Sequence, residues 1–456
     1  MSQARSRPSR RAPLGSRPDA RAVAAETLEA VLHRRHPFEA ALASHPDHGV
    51  LEPRDRAFAY ALVAKTLRRL GEIEALVRLV LHRPLPERDR QVMTLLRLGV
   101  AQLLFLGTPA HAAVDTTVNL ARRWRLGRHL ALINAVLRRI HRDGPALTAG
   151  FDAPRLNTPD WLWHAWEAAY GPVACRRIAE THLEEPPLDL SAKGDPSVVA
   201  AAVGGMVLPT GSVRLHHHGA VPETEGFAAG VWWVQDVAAA LPVRLLGDVR
   251  GRQVIDLCAA PGGKTAQLAA AGARVIAVDR SAARMALVRD NLSRLHLSVE
   301  TVVAEAEAWR PATLADAVLV DVPCSATGTI RRHPDVARIK QPADVAALAP
   351  VQARLLAAAA SMVRPGGIVV YSACSLQPEE GRALVAAQRG QLPNLVPDPI
   401  SPAEIPGLPE AVTGDGTFRT LPCFLADHGG MDGFYACRLR RTEQPTGDCE
   451  GGPLAS

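Results

Sequence analysis

With 456 residues, 47% of them apolar and 21% charged, the chain is too long for a single core and too apolar for a disordered polymer, so two or three globular domains are expected. Its net charge of +6, with a pI near 9.1, is carried mostly by Arg and favours a polyanionic partner. The first apolar stretch, Ala22 to Leu32, is interrupted by Glu26 and Glu29, which excludes a signal core or a membrane span. Seven scattered cysteines fit free thiols in a reducing cytoplasm better than disulfides.

Residues 1–18 hold five Arg, three Pro and no acid, a composition that predicts a disordered basic arm. From Asp19 to Gly144 the pattern is helical. Ile73, Leu76, Val77, Val80 and Leu81 share one helix face, as do Val92, Leu95, Leu96 and Leu103, and Pro84, Pro86 and Pro109 punctuate the helices. An all-α bundle is therefore expected over 19–144. Its end is basic: no acid lies between Asp115 and Asp143, while Arg122, Arg123, Arg125, Arg128, Arg138, Arg139 and Arg142 surround Trp124. These cations could neutralise phosphates, or they could be a solvated helix face with Trp124 in the core.

A connecting region follows over 145–250. Trp161, Trp163, Trp166 and Tyr170 fall on one expected helix and read as core rather than as a base-stacking platform. His216, His217 and His218 suggest a metal, but consecutive side chains point apart and no carboxylate or Cys is close. A solvated loop is expected there, and no metal is assigned.

From Gly251 short apolar strands alternate with helices, which predicts an α/β, doubly wound, mostly parallel sheet over 251–442. Val254 to Cys258 reads as a buried strand, and Ala259-Ala260-Pro261-Gly262-Gly263-Lys264-Thr265 turns directly into a helix. Small residues let the backbone approach a ligand, and a helix N-terminus offers free N–H groups. The next strand ends in Asp279, placed to accept both hydroxyls of a ribose. Two later strands end in Asp321-Val322-Pro323-Cys324-Ser325 and Tyr371-Ser372-Ala373-Cys374-Ser375. A lone Cys is usually a small buried hydrophobe, but two thiols at strand exits can face one pocket. Two thiols beside a nucleoside-type loop point to covalent chemistry on an electron-poor ring. After Gly381 come a helix over 382–387, Pro-rich loops and a closing strand at Gly433–Arg438. The tail, 443–456, is expected to be disordered.

The strings Asp256 to Thr265, Asp321 to Gly328 and Tyr371 to Glu380 resemble motifs I, IV and VI of the RNA cytosine-5 methyltransferases, in the family's order and spacing. Pro109 to Val114 and Asn134 to Arg138 resemble the antitermination-factor-like RNA-binding domain that precedes the catalytic domain in the bacterial 16S rRNA branch, whose target is cytosine 967. The resemblance implies a Rossmann-like class I methyltransferase domain, S-adenosyl-L-methionine as cofactor, and 16S rRNA as partner before or during small-subunit assembly. It implies a cytoplasmic monomer without metal or membrane. It assigns the nucleophile to Cys374, product release to Cys324, and contact with the cytosine N3/N4 edge to Asp321. The cofactor falls to Cys258, Ala259, Ala260, Pro261, Gly262, Gly263 and Lys264, with Asp279 at the ribose, Glu305 at the adenine amine, and Asp321.

Two positions depart from the family pattern. Glu305 stands where Asp is usual, and Leu190-Ser191-Ala192-Lys193 stands where Leu-Arg-x-Asn is usual, which bears on the RNA contacts. A tRNA or other RNA substrate, and a non-catalytic RNA-binding assembly factor, stay open as alternatives. The intact Cys324, Cys374, Asp321 and Lys264 argue against the last.

Overall fold

A computed structural model describes residues 18–216 and 219–443. The expected basic arm and tail, and His217 and His218, lie outside the described residues apart from Pro18 and Glu443. Two compact units meet in sequence at Phe151 and Asp152.

The first unit is all helical: α1 (Ala20–Arg34), α2 (Phe38–Ala43), α3 (Pro53–Arg68), α4 (Leu70–Val80), α5 (Arg90–Leu104), α6 (Ala110–Arg123) and α7 (Leu130–Thr148). Asp19 caps α1 by accepting the Arg21 N–H at 2.9 Å. Most of the periodic residues do what their spacing predicts: Ile73, Leu76, Val77 and Val80 are buried on α4, as are Val92, Leu95 and Leu96 on α5, while Leu103 near the end of α5 is half-buried. Leu81 sits just beyond α4, extended at its C-cap. Helix α7 does not stop at Gly144; it carries Pro145 inside and runs on to Thr148.

The second unit opens with α8 (Ala153–Asn157) and α9 (Asp160–Thr181), whose Trp166 is fully buried with Trp161, Trp163 and Tyr170 packed around its cluster. The connecting region then forms a small sheet of its own. Its strands β1 (Leu188–Ala192), β2 (Met206–Val207), β3 (Val213–Leu215) and β4 (Trp232–Val234) are all antiparallel, in the order β2-β3-β1-β4, with α10 (Pro196–Val203) between β1 and β2. Trp166, Trp232 and Trp233 are among the largest fully buried side chains. Each removes roughly 150–250 Å² from water, worth about 4–6 kcal/mol at about 25 cal/mol per Å².

After α11 (Val237–Arg244) comes the large sheet: β5 (Gln253–Leu257), α12 (Gly263–Ala270), β6 (Arg274–Asp279), α13 (Ala282–Arg294), β7 (Glu300–Val303), β8 (Ala315–Asp321), α14 (Val336–Ile339), α15 (Pro342–Met362), β9 (Val363–Ala373), α16 (Arg382–Gln388), β10 (Leu395–Pro397), β11 (Phe418–Arg419) and β12 (Tyr435–Arg441). The strand order is β10-β12-β9-β8-β5-β6-β7, with β11 paired to β12. Strands β5 to β9 are mutually parallel, while β12 runs antiparallel between β9 and β10. The expected closing strand therefore lies inside the sheet rather than at its edge. Successive residues feed opposite cores, as the period of two requires: Ile255, Val318, Val320, Val369 and Tyr371 pack with α15 on one face. Val254, Ala317, Leu319 and Val370 pack with α11 and α12 on the other. Helix α15 is apolar and long enough to cross a membrane, yet its apolar residues Leu355, Leu356, Ala359 and Met362 are buried in the first of these cores.

Candidate active site

The first loop of the site is shaped by backbone geometry. Strand β5 ends at Leu257, Cys258 turns into the left-handed region at φ 61°, and Gly262 sits at φ 98°. A Cβ on Gly262 would meet Val288 at 3.0 Å, so both the dihedral and the space favour glycine. Helix α12 starts at Gly263 with no side-chain cap, which leaves its first N–H groups free for a ligand. Beneath the loop, Asp256 accepts the Thr265 hydroxyl at 2.6 Å. Burial pushes its carboxyl up to about 7, and its Oδ1 has no hydrogen-bond partner. Burial likewise pushes the Cys258 thiol up to about 12, which disfavours the thiolate.

The two thiols meet because β8 and β9 are neighbours in register, with Asp321 opposite Ser372. Cys324 and Cys374 leave these strands side by side, and their Sγ atoms are 3.3 Å apart across 50 residues of chain. A buried carboxylate locks the two loops together. Glu380 accepts the Ser325 N–H at 2.7 Å and the Gln352 amide at 3.2 Å, and also the hydroxyls of Ser325 and Ser375. Gln352 in turn reaches Pro323 O at 3.0 Å, and the Leu376 N–H reaches the Thr327 hydroxyl at 3.0 Å. Sequence reasoning missed Glu380, Gln352 and the two serines. The available signal was the repeated Cys-Ser at both strand ends. Gly328 closes the junction: its N–H donates to Cys374 O at 3.0 Å, and a Cβ there would fall 1.8 Å from Gly433 O. The hydrogen bond to Cys374 raises Cys324 well above the ordinary thiol value, with burial and the Glu380 charge adding to it.

Opposite the thiols, Lys264 Nζ donates to Asp321 Oδ2 at 2.7 Å and lies 5.1 Å from the Phe434 ring centre. Burial alone would lower the ammonium, but the Asp321 carboxylate outweighs it and holds Lys264 above its ordinary value. Ser372 fixes the other oxygen, donating to Oδ1 at 2.8 Å. These groups line a cavity of about 450 Å³. Of the residues expected from sequence, Ala259, Ala260, Pro261, Gly263, Lys264, Asp321 and Cys374 stand on its wall. Cys258, Gly262, Asp279, Glu305 and Cys324 are not on it.

Asp279 is nearly buried, accepting Ala260 N–H at 3.2 Å and Ser281 N–H at 2.9 Å. A carboxylate has about four acceptor sites, so it keeps capacity for hydroxyls. Glu305 is exposed, just past β7, where Ala304 N–H donates to Asp279 O at 3.1 Å. Of the departing family positions, Ser191 donates to Gln235 Oε1 at 2.8 Å and Lys193 to Leu295 O at 2.7 Å. Gln235 is on the cavity wall, so Ser191 touches the site only through it.

The remaining wall is an ionic cluster that sequence reasoning did not find. Arg332 pairs with Asp236 through Nε at 3.0 Å and donates to Pro187 O at 3.1 Å. Burial would raise Asp236, but Arg332 and Arg331 hold it down at about 2. Behind it Arg214 grips Asp189 with two hydrogen bonds, 2.6 and 2.7 Å, both side chains wholly buried.

The sequence matches two family models: 16S rRNA methyltransferase RsmB/F over residues 243–440 and the NusB family over 18–142. A Sodalis glossinidius protein named ribosomal RNA small subunit methyltransferase B is 36% identical over 421 residues, covering 87% of this chain and 96% of that protein. The chain belongs to the ribosomal RNA small subunit methyltransferase B family. A Vibrio cholerae member is 34% identical across 94% of this chain and 99% of its own length. Among solved structures, PH0851 superimposes with TM-score 0.71 at 20% identity, covering 92% of this chain and 98% of that one. NSun6 from Pyrococcus horikoshii with SFG gives 0.52 at 18% identity over 63% and 99%. These two show the fold alone; the NusB-type helical unit rests on the family match over residues 18–142 and the methyltransferase sheet on that over 243–440.

In the NusB-type unit most of the expected cations are exposed, but acids distant in sequence reach two of them and a neighbouring acid a third. Arg123 pairs with Asp19 and Arg128 with Asp89, each at 2.7 Å, and Arg142 with Asp143 at 2.9 Å. Trp124 is half-buried at the C-cap of α6.

Proposed function

We propose that the chain transfers the methyl group of S-adenosylmethionine to carbon 5 of a cytosine in 16S rRNA, cytosine 967, through a transient bond between Cys374 and C6. The observation that carries this is the pair of thiols 3.3 Å apart, one of them on the wall of a cavity shared with the Lys264–Asp321 pair.

The cavity's residues fit the cofactor. A volume near 450 Å³ is within the small-molecule range, the open N-terminus of α12 and the unpartnered Asp256 Oδ1 offer polar partners, and the Asp321 carboxylate suits a cationic centre. The loop 258–264, Asp279 and Glu305 would hold it, and NSun6 was solved with SFG, an analogue of S-adenosylmethionine. The cofactor supplies an electrophilic methyl group on a sulfonium.

The chain's own residues supply the rest. Carbon 5 of cytosine is a weak nucleophile. When the Cys374 thiolate adds to C6, the C5–C6 pair moves to C5, which takes the methyl group. Loss of the C5 proton returns that pair to C5–C6 and expels Cys374. Cys324, with its raised proton affinity beside the leaving sulfur, serves this release. Asp321, held by Lys264 and Ser372, keeps free acceptor capacity for the cytosine amine and for the charge of the adduct. A base approached at both C6 and C5 must be unpaired or flipped from its stack.

Cys374→Ala should abolish transfer while S-adenosylmethionine binding persists. Cys324→Ala should methylate once and remain joined to RNA, as a band on a denaturing gel. Substantial turnover by the first variant would sink the assignment of the nucleophile. Bisulfite sequencing of total RNA with and without the protein fixes the position, and protection at a tRNA cytosine alone would move the substrate there.

A further inference from the structure

A second cavity lies on the other side of the Cys374 loop. It has a volume of about 750 Å³, and its wall includes Tyr170, Pro378, Arg382, Asp415, Arg419 and Tyr435. Both cavities open at the carboxyl end of the parallel strands. The start of β12 separates them, with Tyr435 opposite Ala373 of β9, and successive strand residues face opposite ways. Phe434 lines the first cavity and Tyr435 the second. The loop is thus a partition, and the second cavity holds it from behind: the Tyr170 hydroxyl donates to Leu376 O at 2.5 Å, and Arg419 donates to Ser375 O.

The wall has the chemistry of a base site. The Arg419 guanidinium lies 5.8 Å from the Tyr170 ring centre and 5.2 Å from that of Tyr435, giving planar π and cationic surfaces of the kind on which unpaired bases stack. Asp415 is fixed by the hydroxyls of Thr413 at 2.6 Å and Thr417 at 2.9 Å and pairs with Arg382 at 2.8 Å. Burial works against it, yet these partners hold it below the usual carboxylate range. Its Oδ2 keeps an acceptor position for N–H groups on a base edge. A carboxylate inside repels phosphate, whereas Arg382, 75% exposed, can meet a phosphate at the rim.

We propose that this cavity is a subsite for an unpaired nucleotide flanking the target cytosine, its base stacked against Arg419 and Tyr170 with an N–H edge on Asp415. The subsite rests on the RNA cytosine reading of the first cavity. Pro378, on its wall, is four residues from Cys374, so the two are at most about 14 Å apart along the chain. That limits the occupant to a near neighbour of the target base, the kind of nucleotide through which base-modifying enzymes read context.

The test uses the full chain and short RNAs carrying the unmethylated target cytosine with its native neighbours, either intact or with one abasic nucleotide at each of two positions on either side. With the wild type, one abasic position should lower kcat/KM about tenfold. With Asp415→Asn the intact RNA should be used less well, and the penalty at that position should shrink to under about threefold; with the exposed Arg382→Ala, which meets the phosphate that an abasic nucleotide keeps, use of intact and abasic RNA should fall together. Equal use of every abasic RNA by the wild type, or an undiminished penalty in Asp415→Asn, would overturn the subsite. No methylation of intact RNA by the wild type would instead sink the assigned reaction, and the subsite with it.

Discussion

Two arginines of the NusB-type unit and one of the catalytic unit occupy opposite environments. Arg128 and Arg142 are each 70% exposed, held by one carboxylate apiece. Arg214 is wholly buried, with two bonds to Asp189 and two more to His428 O at 2.8 Å and Gly430 O at 2.7 Å. An exposed guanidinium keeps most of its hydration and can exchange a carboxylate for a phosphate at little cost. A buried one has given up water for protein acceptors, and what it secures is shape. Here it ties β1 and β3 to the loop before β12, and Asp189 also accepts the Val237 N–H at 3.1 Å, next to Asp236 on the cavity wall.

That contrast can be broken experimentally. The largest effect is expected for Arg214→Ala, which strips the buried Asp189 of its two short hydrogen bonds and leaves it Arg332 at 3.6 Å: stability should fall by about 3–5 kcal/mol, read by urea denaturation. A loss under about 1 kcal/mol would mean that water enters and the ion pair shapes nothing. Glu380→Gln keeps the volume but turns one acceptor into a donor facing hydroxyls and an N–H. About 1–3 kcal/mol of stability should go, and kcat should fall at least tenfold with KM nearly unchanged, because the thiols lose register rather than the RNA its contacts. A change in KM alone would remove Glu380 as a positioning residue.

Asp256 sharpens the comparison through pH. Its folded value of about 7 lies above the unfolded value near 3.9, so the folded state binds the extra proton between about pH 4 and 7. Its contribution is complete below pH 4 and declines as pH rises through 7. The stability of Asp256→Asn relative to the wild type should therefore increase from pH 5 to pH 8. A constant difference would show that Asp256 is ionised throughout. The smallest effect on stability is expected for Arg122, Arg123, Arg125 and Arg128 replaced together by Ala: each change should stay within about 0.5 kcal/mol. RNA affinity should nonetheless lose about one unit of log–log salt slope per phosphate contact removed. An unchanged slope in the folded variant would make these cations a solvated face.

Much of this protein is legible without coordinates where the signal is local. The helical faces of α4 and α5 follow from a period of 3.6 and the strands of the large sheet from runs of apolar residues. The loop 258–265 and the Cys324 and Cys374 strings carry their chemistry in contiguous residues. Tertiary structure alone decided what depends on partners far apart in sequence. Glu380 became the clasp between two thiol loops because β8 and β9 are adjacent. Asp19 and Asp89 came to arginines that the sequence shows in an acid-free run. The connecting region became a four-stranded sheet, and β12 entered between β9 and β10. Periodicity reports which face of an element is apolar, whereas a hydrogen bond or ion pair exists only after packing has chosen neighbours. The residues proposed to react could therefore be nominated from the chain, and the groups that hold them could not.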